Sequence, residues 1–371
     1  MLPPTLKNTV FDRVSGLTMR KFFHPVTLNQ AEGLLKTVLH QSRQDFFING
    51  TITSHAAVPE LMAGMWMAGR EIALVDGHLP AWLKKAMGAA LSEVNQCPYC
   101  EDMLISLTLG AHEENVVQGL QTKNLALIDD ELTQQRMKWV KASIQKHAAV
   151  LRTPPFTPEQ MPEALGNLIV FGYTNKISDF TLNGSPVPQL GKSFSLNLFG
   201  RELQESAAQR LTPGLALTLL PESLEQTNLH WARPNSLVAD SLARWSRVLD
   251  VQIRHVLSEE AIHGILHNLE NWEGGLAPIS RTWVEDEITW VPEREKNMVR
   301  IALLVAKASY QIDDGLIQEM VDAGHTESEL IALGAWSAFM GAKTVANWCW
   351  EAYESNPAHQ ETYISEPCLV D

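Results

Sequence analysis

The chain has 371 residues, of which 45% are apolar and 19% are charged, a composition typical of folded globular proteins. This length is sufficient for two domains with their own cores, and the composition excludes fibrous and disordered classes. Forty-three acidic residues against 29 lysines and arginines leave a formal net charge of −14, which repels nucleic-acid backbones and anionic membrane surfaces. We therefore expect neither nucleic acid nor a membrane as a partner.

Several features of the sequence bear on the compartment. The first 23 residues alternate charges and prolines with short apolar groups, and they lack the run of about 7–15 apolar residues found in secretory signals. The longest uncharged stretches, such as residues 165–175 and 331–341, are shorter than the roughly 18–20 apolar residues that span a bilayer. Four cysteines are too few for a disulfide-stapled secreted scaffold. Together these features predict a cytoplasmic protein.

Apolar residues recur at spacings of three and four along nearly the whole chain, without runs of strict alternation bounded by turns. This periodicity predicts an all-α fold. In chain order, helices are predicted over residues 28–47, 58–73, 80–95, 98–110, 114–121, 130–151, 158–181, 238–257, 258–272, 293–308, 313–323 and 327–352. Helix-start signals support two of them, because Thr157 precedes a proline and a glutamate and Ser258 precedes two glutamates.

Residues 183–235 interrupt this pattern with proline, glycine and serine, which predicts an irregular connection between two halves. A weak internal repeat at an offset of 213 residues places His112 opposite His325, although a second register is almost as good. The sequence thus predicts a first domain at residues 1–182. A degenerate second copy without the cysteine pair, ending in a tail, is predicted at residues 236–371.

Two of the cysteines form a close pair, Cys97-Pro-Tyr-Cys100. Residues 95–96 end the preceding apolar helix, Cys97 takes an N-cap-like position, and Pro98 suits the first position of a new helix. Unpaired N–H groups and the positive end of the helix dipole stabilise a thiolate in the first turn. The position therefore predicts a lowered thiol pKa.

Other neighbours oppose a lowered pKa. Glu101 and Asp102 place two negative charges in the same turn, and a negative charge beside a thiolate raises the thiol pKa. Cys100 also shares one helix stripe with three apolar residues, Met103, Leu104 and Leu107. The stripe predicts that Cys100 faces an apolar interior, with Cys97 nearer to its mouth.

Close cysteine pairs in reducing compartments serve redox cycling or metal binding more often than structure. A zinc site needs two further ligands, and neither a second CxxC nor an HxxxH pair lies nearby in sequence. His263 and His267, with Glu259 one turn earlier, have the spacing of a metal site, but they also border an apolar stripe, and we favour this structural interpretation. We predict no metal and no organic cofactor. Cys349 and Cys368 are predicted to be free thiols.

The segment ALSEVNQCPYCEDML, followed by GAHEEN and by FGYTNKISD at residues 171–179, resembles the AhpD-like alkylhydroperoxidase and carboxymuconolactone decarboxylase family. The resemblance covers residues 45–182, and residues 236–352 look like a degenerate second copy. It implies an all-α, AhpD-like helical fold in tandem, with the CxxC pair at the start of a helix.

The resemblance also implies roles for single residues. In the peroxidases of this family the second cysteine attacks the hydroperoxide and the first resolves the sulfenate, which implies Cys100 as attacking and Cys97 as resolving thiol. The glutamate and the histidine that relay protons in the family are replaced here by Lys85 and Leu104, and we expect the lysine to be solvated. Leucine cannot transfer a proton. Glu93, one helical turn before Cys97, is the candidate substitute, and a solvated helix-end carboxylate is the alternative.

These features predict an antioxidant, thiol-dependent oxidoreductase whose CxxC pair cycles between dithiol and disulfide, acting as a disulfide reductase or a weak alkyl hydroperoxide reductase. Its partners would be a small oxidised substrate and an external thiol electron donor. Two alternatives stay open: a helical oligomerisation or binding module with a remnant CxxC, and a decarboxylase-type enzyme of the same family. Family members commonly form trimers or hexamers, and a chain with two copies is equally compatible with a monomer or dimer.

Overall fold

The computed structural model describes residues 16, 18–111, 113–185, 187, 192–223 and 229–356. Within these ranges the chain is all-α, as predicted, and its extended pairings are limited to two isolated bridges. None of the described helices is long and apolar enough to cross a membrane. His112 and Cys368 lie outside the described residues.

The helices correspond closely to the periodicity of the sequence. In chain order the described α-helices are α1 (Gly33–Asp45), α2 (Gly50–Thr53), α3 (Pro59–Ala68), α4 (Ala81–Val94), α5 (Pro98–Gly110), α6 (Glu114–Gln121), α7 (Glu131–Ala142), α8 (Met161–Thr181), α9 (Lys192–Ala208), α10 (Ser236–Ile253), α11 (Glu259–Glu270), α12 (Thr282–Glu287), α13 (Lys296–Ala308), α14 (Asp314–Asp322) and α15 (Glu327–Glu354). A π-helical turn, Gly69–Leu74, continues α3, and a short 3-10 helix, Ser309–Gln311, continues α13.

One predicted helix is too long. The helix predicted over residues 130–151 ends as α7 at Ala142, and the chain that follows bonds to the second half of the molecule. The carbonyl of Ser143 accepts the indole N–H of Trp348 at 2.7 Å, and the carbonyl of Ile144 accepts the N–H of Gly275 at 2.6 Å. Carbonyls used in this way are not available to continue a helix.

Residues 183–235 are not irregular throughout, because α9 lies within them and packs along α5. Its buried stripe consists of Leu196, Gly200 and Leu203, which follow helical spacing. A Cβ on Gly200 would lie 3.1 Å from the carbonyl oxygen of Ser106, so glycine permits this close approach. The proline, glycine and serine residues around this helix obscure its periodicity, so the sequence did not predict it.

The start of α5 is built as predicted. Helix α4 ends at Val94, and Gln96 reverses the chain in the left-handed region with φ of 58°. Cys97 is the N-cap residue of α5, and Pro98 occupies its first turn. Cys100 therefore lies in the first turn, where its backbone position is fixed by both helices.

A single hydrophobic core cluster runs through both predicted halves. Helix α8 lies at its centre and packs against α4 and α5 on one side and along α15 on the other. Tyr173 of α8 contacts the ring of Trp245, which in turn contacts Phe339, with ring centroids 4.6 and 4.9 Å apart. The two halves thus share one core, while their origin by tandem duplication stays a prediction.

Candidate functional site

The two cysteines of the pair differ in what they face. Both are free thiols, and Cys97 has no exposed surface, whereas Cys100 is 5% exposed and lines a cavity. Cys100 faces an apolar interior, as predicted. The expectation that Cys97 lies nearer the mouth is wrong, because the N-cap position places its side chain under α8.

The cavity beside Cys100 has a volume of about 100 Å³. Its wall is mainly aromatic and aliphatic, with Phe46, Phe47, Trp66, Leu104, Leu107 and Phe171 among its residues. The polar groups on the wall are few and include Asn49, Thr51 and Thr174. The π-helical turn also contributes to the lining, a common position for such turns at functional sites. A small apolar group suits this space better than a charged one.

Two neighbours position the side chains of the CxxC turn. The thiol of Cys100 donates a hydrogen bond to the carbonyl oxygen of Thr174 on α8, at a distance of 3.5 Å. The phenol oxygen of Tyr99 accepts the backbone N–H of Gly50 at 3.2 Å. Burial raises the pKa of Tyr99 far above its usual value, so the phenol stays neutral across the physiological range.

Burial also dominates the first cysteine. The pKa of Cys97 is raised well above its ordinary value by desolvation, by its hydrogen bond with Cys100 and by the negative charge of Asp179. The helix dipole therefore does not lower the pKa of Cys97 at the N-cap position. The dipole contributes only fractions of a kcal/mol to about 2 kcal/mol, which is less than the cost of placing a thiolate in a dry site.

The two acidic residues that follow the pair have neighbours that reduce their effect on the thiol pKa. Asp102 is fully buried, but Lys192 of α9 lies 2.7 Å from its carboxylate, and Ser185 donates a hydrogen bond to it at 2.6 Å. Burial raises the pKa of Glu101, and the positive charges of Lys123 and Lys192 offset part of this effect. Helix α9 thus neutralises the charge of Asp102 on α5.

The residues predicted to relay protons lie in different surroundings. The carboxylate of Glu93 pairs with Lys141 at 2.6 Å, and its role as a relay stays a prediction. Lys85 is only 2% exposed, so the expectation of a solvated lysine is wrong, and burial lowers its pKa to about 8. Leu104 is on the cavity wall. The charged groups that act on the Cys97 thiol are Asp179 and Lys176, and neither was predicted as a relay.

Asp179 was not identified as a site residue from the sequence, although it ends the segment FGYTNKISD. Its carboxyl receives a hydrogen bond from the Cys97 thiol and another from the hydroxyl of Ser309, the latter at 2.7 Å. Lys176, one turn earlier on α8, is buried and interacts with both Asp179 and Cys97. A lysine and an aspartate at i,i+3 in a mainly apolar helix are the signal that could have found them.

The histidines with metal-like spacing lie on the surface. His263 and His267 are both exposed on α11. Among the described residues, no group of three or more histidine, cysteine, aspartate or glutamate side chains could hold a metal ion.

The chain is 24% identical over 352 residues to a protein of Mycobacterium tuberculosis named alkyl hydroperoxide reductase. The alignment covers 91% of this chain and 96% of that protein, so the similarity includes both predicted halves. No family profile and no solved structure matches the chain. This distant similarity is consistent with an AhpD-like family.

Proposed function

We propose that the protein is a thiol-dependent peroxidase that reduces small organic hydroperoxides by a dithiol–disulfide cycle of Cys97 and Cys100. Cys100 attacks the peroxide and Cys97 resolves the product. The observation that carries this proposal is the position of Cys100 on the wall of an apolar cavity, with the second thiol buried directly behind it.

The cavity favours an organic substrate. An apolar cavity of about 150 Å³ accommodates a benzene-sized group, so a space of about 100 Å³ suits a small alkyl substituent. Hydrogen peroxide has no apolar group to bury against such a wall. Burial of the organic part of a hydroperoxide there contributes favourable free energy of binding. The name of the Mycobacterium tuberculosis relative supports the same substrate class.

The chemistry balances in three steps. The Cys100 thiolate attacks the outer peroxide oxygen, the O–O bond breaks, and a sulfenic acid and an alcohol form once the alkoxide takes up a proton. The Cys97 sulfur then attacks the sulfenic sulfur, so that an S–S bond forms and water leaves. An external dithiol finally reduces the disulfide and is itself oxidised to a disulfide.

Two cysteine variants test this order of events. Reduced protein should consume one tert-butyl hydroperoxide per pair and lose two thiols, as measured by thiol titration and intact mass. Cys100→Ser should abolish consumption, since it removes the attacking sulfur. Cys97→Ser should leave a Cys100 sulfenic acid that dimedone captures, since it removes the resolving sulfur. These outcomes assign a separate role to each thiol.

Cys349→Ser is the matched control, because Cys349 is a fully buried thiol that lies away from the cavity. This variant should react at the wild-type rate. Hydroperoxide consumption that survives Cys100→Ser, or a pair that resists oxidation, would show that CxxC is a remnant and that the binding-module alternative holds.

A further inference from the structure

We propose that Asp179 is the acid–base group of the thiol pair, which accepts the Cys97 proton when the disulfide forms and returns it when the disulfide is reduced. This inference rests on the proposed function. It assigns a further catalytic residue to the thiol pair.

The thiol pair needs such a group, because Cys97 cannot act as a nucleophile while it keeps its proton. The family's histidine position holds Leu104, and the carboxylate of Glu93 is paired with Lys141. Among the described residues, Cys100, Lys176 and Asp179 act on the Cys97 thiol, and Asp179 is the carboxyl group among them. Asp179 is therefore the carboxylate in contact with the proton that has to leave.

The groups around Asp179 come from four parts of the chain. Lys176 lies on the same helix, Cys97 is at the start of α5, and Ser309 follows α13. Arg20 precedes α1, donates to the backbone carbonyl of Asp179 at 3.1 Å and pairs with Asp314. Ser309, Arg20, Lys176 and the Cys97 thiol all favour the carboxylate form.

These contacts keep the pKa of the Asp179 carboxyl close to neutral pH. Desolvation is the largest influence on Asp179, and the four contacts offset only part of it, so its pKa is raised to about 7. Desolvation lowers the pKa of Lys176 to about 8. A proton acceptor works best when its pKa lies near the pH of the reaction, and this carboxyl meets that condition at neutral pH.

The proposed transfer conserves protons. The Asp179 carboxylate takes the proton from the Cys97 sulfur as that sulfur attacks the Cys100 sulfenic acid. The S–S bond forms, the S–O bond breaks, and the departing hydroxide takes up one proton from solvent to leave as water, while Asp179 keeps the proton from Cys97. When an external dithiol opens the disulfide, protonated Asp179 returns a proton to the Cys97 sulfur.

The second half of the molecule takes part in this site through Ser309. Its hydroxyl donates to the Asp179 carboxylate, and this donation stabilises the charged form. Ser309 adjusts the pH at which Asp179 can accept a proton, without touching either thiol. It is a positioning residue, and it gives the half without the CxxC pair a function in the cycle.

The test follows the two oxidation steps separately. Reduced full-length protein is mixed with one equivalent of tert-butyl hydroperoxide across pH 5.5–9, and sulfenic acid and disulfide are quantified at successive times by dimedone capture and intact mass. In the wild type, disulfide formation should accelerate with an ionisation near pH 7. Asp179→Asn should slow this step by about 10²-fold or more and remove that ionisation, with sulfenic acid formation unchanged within about twofold.

Three further variants control the test. Asp250→Asn changes a partly buried carboxyl that accepts the indole N–H of Trp336 far from the thiols, and it should leave both steps unchanged. Asp179→Glu should restore part of the rate. Ser309→Ala should move the ionisation to higher pH and keep the plateau rate, since it removes a contact that favours the carboxylate. This last variant also decides the question if Asp179→Asn fails to fold.

The outcomes separate this inference from the proposed function. A wild-type protein that forms no sulfenic acid overturns the proposed function, and the inference with it. A wild type that cycles, together with an Asp179→Asn variant that forms disulfide at the same rate and pH dependence, overturns the inference alone. An unshifted ionisation in Ser309→Ala has the same meaning.

Discussion

Tyr99 separates the two cysteines in sequence, and its phenol has a structural role rather than a catalytic one. The phenol oxygen accepts the N–H of Gly50, which begins α2, and the ring lines the cavity beside Cys100. Because burial raises its pKa far above neutrality, the phenol cannot exchange its proton readily with the thiols. It fixes the turn against α2.

We expect Tyr99→Phe to lower the free energy of unfolding by about 1–3 kcal/mol, because the N–H of Gly50 loses its acceptor inside the protein. The pH dependence of disulfide formation should stay that of the wild type. Urea denaturation and the oxidation assay measure the two effects. Tyr310→Phe is the control, since the Tyr310 phenol oxygen accepts a comparable hydrogen bond from the N–H of Ala277, with a length of 2.9 Å. Loss of an ionisation in Tyr99→Phe alone would contradict this assignment.

At this scale the sequence predicts what depends on neighbours along the chain. The start of α5 follows from residues 95–98, because turn and capping preferences are local. The contact between Asp179 and Ser309 joins residues that are 130 positions apart, and no local pattern encodes it. Burial is equally hidden, which is why Lys85 was expected in solvent and Cys97 was expected near the mouth of the cavity.

Among the helices, α8 connects the thiol site to the rest of the molecule. Its aromatic side chains fit against glycines of the neighbouring helices, Phe171 against Gly88 of α4 and Phe180 against Gly334 of α15. A Cβ at either glycine would lie 2.6 Å from the facing ring. These two close approaches set the distances of α4 and α15 from α8, and therefore the position of Thr174 and Asp179 relative to the cysteines.

We expect Gly334→Ala to destabilise the fold by about 1–3 kcal/mol, because the added methyl group overlaps the ring of Phe180, which is fully buried and cannot move aside. Gly69→Ala is the control, since a Cβ there meets no atom within 4 Å. That variant should be neutral or gain up to about 1 kcal/mol from helix propensity. Calorimetry of both variants measures the difference. Equal stabilities would show that α15 is free to shift away from α8.

Helix positions were largely predictable because apolar residues recur in most helices at a spacing near 3.6 residues. The exceptions have tertiary causes. Helix α9 forms on the surface of α5 with a narrow stripe, and α7 ends early where its following carbonyls bond to the second half. The cavity was not predictable, because its wall combines α5, α8, the π-helical turn and the segment before α2.

At the scale of the whole molecule, the core and a clamp around Arg20 join the two halves. The guanidinium of Arg20 lies 2.5 Å from the carboxylate of Asp314, and it donates to the backbone carbonyls of Asp179 and Ile312 at 3.1 Å each. The clamp therefore connects the N-terminal segment, the end of α8 and the start of α14. Together with the continuous core, it makes independent unfolding of the halves unfavourable.

We expect one cooperative unfolding transition, in which the calorimetric and van't Hoff enthalpies agree and tryptophan fluorescence reports the same midpoint. Arg20→Met should lower the stability by about 2–4 kcal/mol, because it leaves the two carbonyls and Asp314 without their donor. Exposed Arg294→Met should change it by less than about 0.5 kcal/mol. Since the halves share one core, Arg20→Met should move the entire transition to lower temperature. A second transition that keeps its wild-type midpoint would instead show two independently folding domains.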